Sequence, residues 1–144
     1  MELDIRRLAT GDEEAVLAAG KLFDEPPQRD ATRRFLATDN HHLLIAYDGA
    51  GEPLGFVSGV ETTHPDKGTE MFLYELGVDE PARRRGVGRA LVEALAALAR
   101  ERGCYGMWTG TEDTNDAALA TYRSAGGTAS AGTLILDWDL RRKR

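Results

Sequence analysis

Cysteine, proline, aromatic residues and long apolar runs are all scarce in this chain, and each shortage excludes something. Its 144 residues include one cysteine, Cys104. No internal disulfide can form, so the cytoplasm is the natural compartment. Cys104 precedes Tyr105 and Met107 in an apolar stretch and reads as a buried small hydrophobe. The three histidines, His41, His42 and His64, show no metal spacing with cysteine or acid. They read as surface residues, and no metal is expected. Met1 to Arg7 lacks the apolar core of a signal peptide. The most apolar helical stretch, Ala90 to Ala99, is broken by Glu93 and is too short to cross a bilayer. No membrane partner is expected.

Basic charge is also short. Lys and Arg number 18 against 24 Asp and Glu, for a net charge of −6. Four of the basic residues form the terminal tail 141–144, leaving 14 basic against 24 acidic side chains elsewhere, a net −10. Nucleic acid is a poor partner for such a body. A cationic small molecule suits it, although plain solubility explains the charge equally well.

What is present is one domain, residues 1–140, followed by the basic tail, with no repeats and no low-complexity linker. Leu3 to Arg6 alternates and predicts a first strand. Thr10-Gly11-Asp12 opens a helix carrying Val16, Leu17, Ala19, Leu22 and Phe23, stopped at Asp24-Glu25-Pro26-Pro27. A second helix is expected over Asp30 to Ala37. Strands follow over His42 to Tyr47, Leu54 to Val60 and Glu70 to Val78, with a polar loop at 62–68 before the last. Gly86 to Arg102 is the clearest helix, with an apolar stripe of Val87, Leu91, Ala94, Leu95 and Leu98. Tyr105 to Thr109 predicts a strand, Asn115 to Ala125 a helix, and Leu134 to Leu140 a final strand. The order is mixed α and β. A long helix between Glu70–Val78 and Tyr105–Thr109 makes those two strands parallel neighbours.

The segment Asp79-Glu80-Pro81-Ala82-Arg83-Arg84-Arg85-Gly86-Val87-Gly88 stands between a strand and a helix. A helix start offers unpaired N–H groups and the positive end of the dipole, which favour a bound phosphate. Gly86 and Gly88 let an anion approach the backbone, and the arginines add charge-assisted hydrogen bonds. No Gly-Lys-Ser or Gly-Lys-Thr follows, and position 91 is Leu, so neither a Walker loop nor a dinucleotide fingerprint is present.

At these residues the chain resembles the GCN5-related N-acetyltransferase superfamily. Arg83, Gly86 and Gly88 match its Arg/Gln-x-x-Gly-x-Gly/Ala motif, and Asn115, Ala118 and Tyr122 match its Asn-x-x-Ala-x-x-x-Tyr motif. One departure is Gly126-Gly127, where the family often has Gly-Phe. The resemblance implies an α/β (α+β) fold: a central mixed sheet of six to seven strands with about four helices. It implies acetyl-CoA as cofactor, held by Leu76, Gly77 and Val78, by Arg83, Arg84, Arg85, Gly86, Val87, Gly88 and Arg89, and by Asn115, Ala118 and Tyr122. The Val78 N–H would polarise the thioester carbonyl and Tyr122 would protonate the leaving thiolate. Dimers are common in this superfamily, and the apolar last strand suits a homodimer interface.

Glu75 is the best candidate base, with Glu112 and Asp113, just past the neighbouring strand, as rivals, and Asp137 and Asp139 on the last strand also within reach of the cleft. A carboxylate inside an apolar strand is costly without a partner or a task, and burial raises its pKa toward the useful range. Regular pleating would turn Glu75 away from the face of Leu76 and Val78; a bulge, common in this superfamily at that strand, would re-aim it. Within the superfamily, Phe72-Leu73-Tyr74-Glu75-Leu76-Gly77-Val78 is similar to the Ile-Tyr-Asp-Leu-Ala-Val of gentamicin-type aminoglycoside 3-N-acetyltransferases. Leu136-Asp137-Trp138-Asp139 is similar to their Phe-Asp-Ile-Asp ending. The resemblance implies an aminoglycoside acceptor met by Asp24, Glu25, Tyr74, Glu75, Glu112, Asp113, Asp137 and Asp139. A polyamine, a protein N-terminus or another small amine is an alternative acceptor, and a non-catalytic acyl-CoA-binding domain is an alternative of another class.

Overall fold

The computed structural model describes residues 2–141. A five-stranded sheet runs in the order β1-β2-β3-β4-β5, with β1 Asp4–Arg7, β2 His41–Tyr47, β3 Pro53–His64, β4 Gly68–Val78 and β5 Met107–Trp108. The first four strands are antiparallel, and β5 lies parallel to β4. That parallel pair is the one the intervening helix demands.

One face carries α3 (Val87–Glu101) and α4 (Asp116–Ser124). Val87, Leu91, Val92, Leu95 and Ala99 of α3 are buried against Leu44, Val57, Met71 and Leu73 of the sheet. Each of the larger side chains contributes about 1.5–3 kcal/mol by leaving water. A Cβ on Gly59 would stand 2.9 Å from Leu95 Cδ1 and from Met71 Sδ, so glycine there lets α3 lie close on β3. The other face carries α1 (Glu13–Ala18), a 3₁₀ turn at Gly20–Leu22, and α2 (Arg29–Ala37), packed on Leu43, Ile45, Tyr47 and Phe56.

The structure corrects several expectations. The first helix ends at Ala18 and continues only as a 3₁₀ turn. The loop at 62–68 is mostly strand, because β3 and β4 pair out to His64 and Gly68. His42 is not a surface residue. It is 1% exposed, its Nδ1 faces the Arg7 guanidinium at 2.9 Å, and its Nε2 lies 2.6 Å from Glu61 Oε2. Arginine can only donate, so Nδ1 accepts and the ring gives its Nε2 proton to Glu61. Arg102 also donates to Glu61, at 2.6 Å. Cys104 is half-buried, with burial pushing its thiol above the usual range.

The largest correction concerns the last strand. Among the described residues, 134–140 pair with no strand, and the sheet has five strands and not six or seven. Leu134, Ile135, Leu136, Trp138 and Leu140 remain 71–89% exposed, with none of the described residues covering them.

Candidate active site

The site begins with one extra residue in β4. Ser58 of β3 pairs with Glu75 and Gly59 pairs with Leu73, which leaves Tyr74 without a partner as a β-bulge. Leu73 and Leu76 therefore both face the α3 core, while Tyr74 and Glu75 both face the opposite cleft. Glu75 still faces away from Leu76 and Val78, as regular pleating has it; the bulge turns it away from Leu73 and onto the side of Tyr74. The Glu75 N–H is taken by the hydroxyl of buried Ser58 at 3.2 Å.

Beyond the bulge, β5 leaves β4. Their pairing covers only Met71–Met107 and Phe72–Trp108, and a hydrogen bond from Thr109 Oγ1 to the Leu73 carbonyl at 2.9 Å is the last tie before they part. The gap forms a cleft of about 250 Å³ lined by Glu75, Leu76 and Gly77 of β4, by Thr111, and by Asn115, Ala118 and Tyr122 at α4. On that side the backbone of Leu76 to Val78 has no neighbouring strand to pair with among the described residues. Asn115 caps α4, its Oδ1 accepting from the Ala118 N–H at 3.1 Å.

At the far end of β4 lies the anion cradle. Gly86 takes the left-handed conformation at φ 80° and is the N-cap of α3, with no side chain capping the helix. A Cβ there would meet nothing within 4 Å, so glycine is required by the backbone angle and not by crowding. The first N–H groups of α3 are therefore unfilled. Arg84 also holds a positive φ, 64°. Arg83, Arg84 and Arg85 are exposed and pair with no carboxylate among the described residues; Arg83 Nε donates to the Val78 carbonyl at 3.1 Å.

Three of the residues expected at the cofactor make contacts within the fold. The Val87 side chain is 1% exposed, in the core against the sheet. Arg89 is paired with Glu93 at 3.3 Å. The missing Cβ of Gly88 points at Thr121, 3.1 Å away, and so serves the contact of α3 with α4. An uncapped helix start beside free arginines, joined to an unpaired strand edge, fits the pyrophosphate and the amide-bearing arm of acetyl-CoA.

The acceptor side of the bulge is acidic. Phe23, Asp24, Glu25, Tyr74 and Glu75 line an adjoining cleft of about 490 Å³. Burial, with the Asp24 charge as a second cause, raises the Glu75 carboxyl above its ordinary range. Burial likewise raises the Tyr122 hydroxyl, and a hydrogen bond with Thr109 pulls it back in part. Of the expected acceptor residues, the structure gathers Asp24, Glu25, Tyr74 and Glu75. Glu112 and Asp113 are exposed and outside both clefts, and Asp137 and Asp139 lie on the unpacked terminal segment. Ser58 and Thr109 were missed. Their signal in the sequence was a lone hydroxyl inside or at the end of an apolar strand.

Residues 5–126 match the acetyltransferase (GNAT) family. The chain is 38% identical over 92 residues to the aminoglycoside N(6')-acetyltransferase type 1 of Klebsiella aerogenes, covering 62% of this chain and 60% of that protein. It is 33% identical over 129 residues to the mycothiol acetyltransferase of Arthrobacter sp. (strain FB24), covering 81% of this chain and 39% of that protein. It is 34% identical over 103 residues to the N-alpha-acetyltransferase RimI of Mycobacterium tuberculosis, covering 72% and 62%. The chain thus spans about two fifths to three fifths of the length of these curated relatives. Among solved structures, an aminoglycoside acetyltransferase from an uncultured soil metagenomic sample, in complex with sisomicin, superposes with a TM-score of 0.87 at 22% identity, covering 96% of this chain and 97% of that one. AAC(6')-Iy, in complex with a bisubstrate analogue, CoA-S-monomethyl-acetylneamine, superposes at 0.82 with 20% identity, covering 96% and 99%. These two likenesses speak for the fold. Fold, motifs and matched residues agree: the chain belongs to the acetyltransferase (GNAT) family, whose acyl donor is acetyl-CoA.

Proposed function

We propose that the domain transfers an acetyl group from acetyl-CoA to a primary amine of a polycationic small molecule, specifically the 3-amino group of a 2-deoxystreptamine aminoglycoside such as gentamicin or sisomicin. The observation that carries this reading is the acidic cleft of Asp24, Glu25 and Glu75, with Tyr74, which shares Glu75 with the gap that Tyr122 lines. Carboxylates around a half-enclosed space concentrate an ammonium-rich substrate.

When bound, acetyl-CoA supplies a thioester carbonyl carbon, to which the amine nitrogen bonds as the carbon–sulfur bond breaks. Glu75 accepts the proton the amine gives up; its raised pKa brings it nearer the amine's needs than an exposed glutamate. Tyr122 gives its hydroxyl proton to the departing sulfur, and burial keeps it protonated until then. The Val78 N–H is the proposed donor to the thioester oxygen. The α3 N-terminus and Arg83 to Arg85 hold the pyrophosphate.

A second reading, acetylation of a 6'-amino group, is favoured by the 38% identity to the Klebsiella aerogenes enzyme. Acylation of a protein N-terminus or a polyamine is the broader alternative. The test is turnover of acetyl-CoA with gentamicin-type aminoglycosides, spermidine and short peptides, with the products assigned by mass and by NMR. Acetylation at the 3-amino position is the expected result. A 6'-acetyl product would shift the regiochemistry, and no turnover of any aminoglycoside would remove this acceptor class. A non-catalytic domain would bind acetyl-CoA and turn over no amine, and Glu75→Gln would then change nothing. On the proposed reading that substitution lowers kcat by about 10²–10⁴-fold.

A further inference from the structure

Asp24 and Glu25 sit in a segment with little of its own to hold it. Residues 24–27 make no backbone hydrogen bond among the described residues, and two of the four are proline. Phe23, just before them, packs on Phe56 with ring centroids 4.4 Å apart. That contact is apolar and has no direction of its own. The carboxylates that face the acceptor therefore take their position from whatever fixes the turn in front of them.

Lys21 does so by charge. It stands in the middle of the 3₁₀ turn Gly20–Leu22, and its Nζ lies between the carboxylates of Glu52 and Asp79, with Asp79 Oδ2 at 3.2 Å. Both carboxylates stand on fixed backbone. Glu52 closes the turn between β2 and β3: its N–H donates to Asp48 Oδ1 at 2.9 Å, and its carbonyl accepts from the Asp48 N–H at 3.0 Å. Asp79 follows β4 and opens the segment that becomes the anion cradle. Its N–H donates to the Leu54 carbonyl at 2.8 Å, and its carbonyl accepts from the Ala82 N–H at 2.8 Å. Leu22, next to Lys21, lines the gap beside Glu75 and Leu76, and its carbonyl oxygen would stand 2.9 Å from a Cβ on Gly77. From Lys21 to Asp24 is three residues, on the order of 10 Å of chain. An ammonium shared by two part-exposed carboxylates adds little to stability. Its consequence lies in what it joins, the acceptor loop on one side and the frame of the cofactor site on the other.

We propose that Lys21 is a positioning residue for the acceptor: by bridging Glu52 and Asp79 it registers the 3₁₀ turn, and with it Asp24 and Glu25, against the strand end where the acyl donor is held. The effect on the amine rests on the reading that the acidic cleft receives it; the pinning of the turn does not.

Charge alone predicts the opposite of positioning, and this separates the two. Lys21→Met leaves the region one charge more negative. By long-range attraction that would lower KM for a polycationic amine and, beside the cradle, raise KM for acetyl-CoA. A lost pin instead raises KM for gentamicin, by about fivefold, and leaves kcat and KM for acetyl-CoA within about twofold. Lys21→Arg, which can still bridge two carboxylates, should restore the gentamicin KM. In a Glu52→Gln, Asp79→Asn background, Lys21→Met should raise it no further. A lowered or unchanged gentamicin KM in Lys21→Met, or an equal rise in both backgrounds, would overturn the proposal. Hydrogen exchange reads the pin without turnover. The Leu22 and Phe23 amides, bonded to the Ala19 and Gly20 carbonyls at 3.0 and 3.2 Å, should exchange faster in Lys21→Met while the amides of α3 stay protected. Faster exchange in a protein that turns over no aminoglycoside would fail the acceptor reading and leave the pin standing. Unchanged exchange would overturn the pin, whatever amine the enzyme accepts.

Discussion

Gly77→Ala tests the geometry most sharply, because resemblance and structure disagree about it. The gentamicin-type pattern has alanine at that place, so by resemblance the change is harmless. In this chain a Cβ at Gly77 would stand 2.7 Å from Phe56 Cε1 and 2.9 Å from the Leu22 carbonyl oxygen. Ordinary carbon contacts are about 3.5–4.0 Å, so something must move by most of an ångström. Phe56 is 2% exposed and packs on Phe23 with ring centroids 4.4 Å apart. Leu22 offers backbone, and it ends the 3₁₀ turn that leads to Asp24 two residues later. Overpacking of this kind costs about 1–3 kcal/mol. For a chain of this size that lowers Tm by roughly 3–10 °C. The displaced loop carries Asp24, so KM for the amine should rise while KM for acetyl-CoA stays, the added methyl pointing away from α3. Differential scanning fluorimetry and steady-state kinetics read both effects. Phe56→Leu shortens the clashing ring, so the double variant should recover part of the Tm lost by Gly77→Ala. An alanine variant with unchanged Tm and unchanged KM would refute the reasoning.

Tyr122→Phe keeps the ring and removes the proton. It should lower kcat by about 10²-fold or more and leave acetyl-CoA affinity, read by calorimetry, in place. Asp24→Asn removes a negative charge that holds the Glu75 carboxyl up, so the acid limb of kcat/KM should move to lower pH; an unmoved limb would separate Asp24 from the base. His42 is held below its ordinary pKa, first by burial, with the Arg7 charge adding to it against the opposing Glu61 contact. Its unfolded form takes up a proton near the ordinary value while the folded form resists. The chain should therefore lose stability as pH falls from about 6.5, and Tm against pH should flatten in His42→Asn. Ser58→Ala strands the Glu75 N–H at the bulge, which should cost about 1–3 kcal/mol and disturb turnover more than Thr32→Val, which removes a buried hydroxyl outside the site.

The fold was legible where the period of the apolar residues was long and regular. The α3 stripe, the β2 run and the parallel neighbours β4 and β5 all follow from it. The cradle was legible because a glycine at positive φ before an amphipathic helix leaves a local mark. Tyr74 and Glu75 could be singled out but not oriented, since one bulged residue decides their face and the neighbours that force it lie on another strand. The surface reading failed at His42 for a similar reason: it is buried by partners 35 and 19 residues away in the chain, Arg7 and Glu61. Glu112 and Asp113 were attractive only because they follow the right strand; once β5 stops at Trp108, the chain carries them outside the cleft. The last strand reads as a strand from its alternation, and alternation cannot say which edge it will join.

The chemistry of this domain depends on a defect that two hydroxyls make tolerable. Tyr74 as an extra residue turns Glu75 into the cleft, and past that point β4 and β5 stop pairing. Both consequences strand backbone groups in a half-buried place, where each unsatisfied group costs about 1–3 kcal/mol. Ser58 accepts from the Glu75 N–H on the β3 side, and Thr109 donates to the Leu73 carbonyl on the β5 side. A fully paired β4 would be more stable and would have no gap. The cleft exists because β3 and β5 each supply one hydroxyl at the residue where the sheet comes apart.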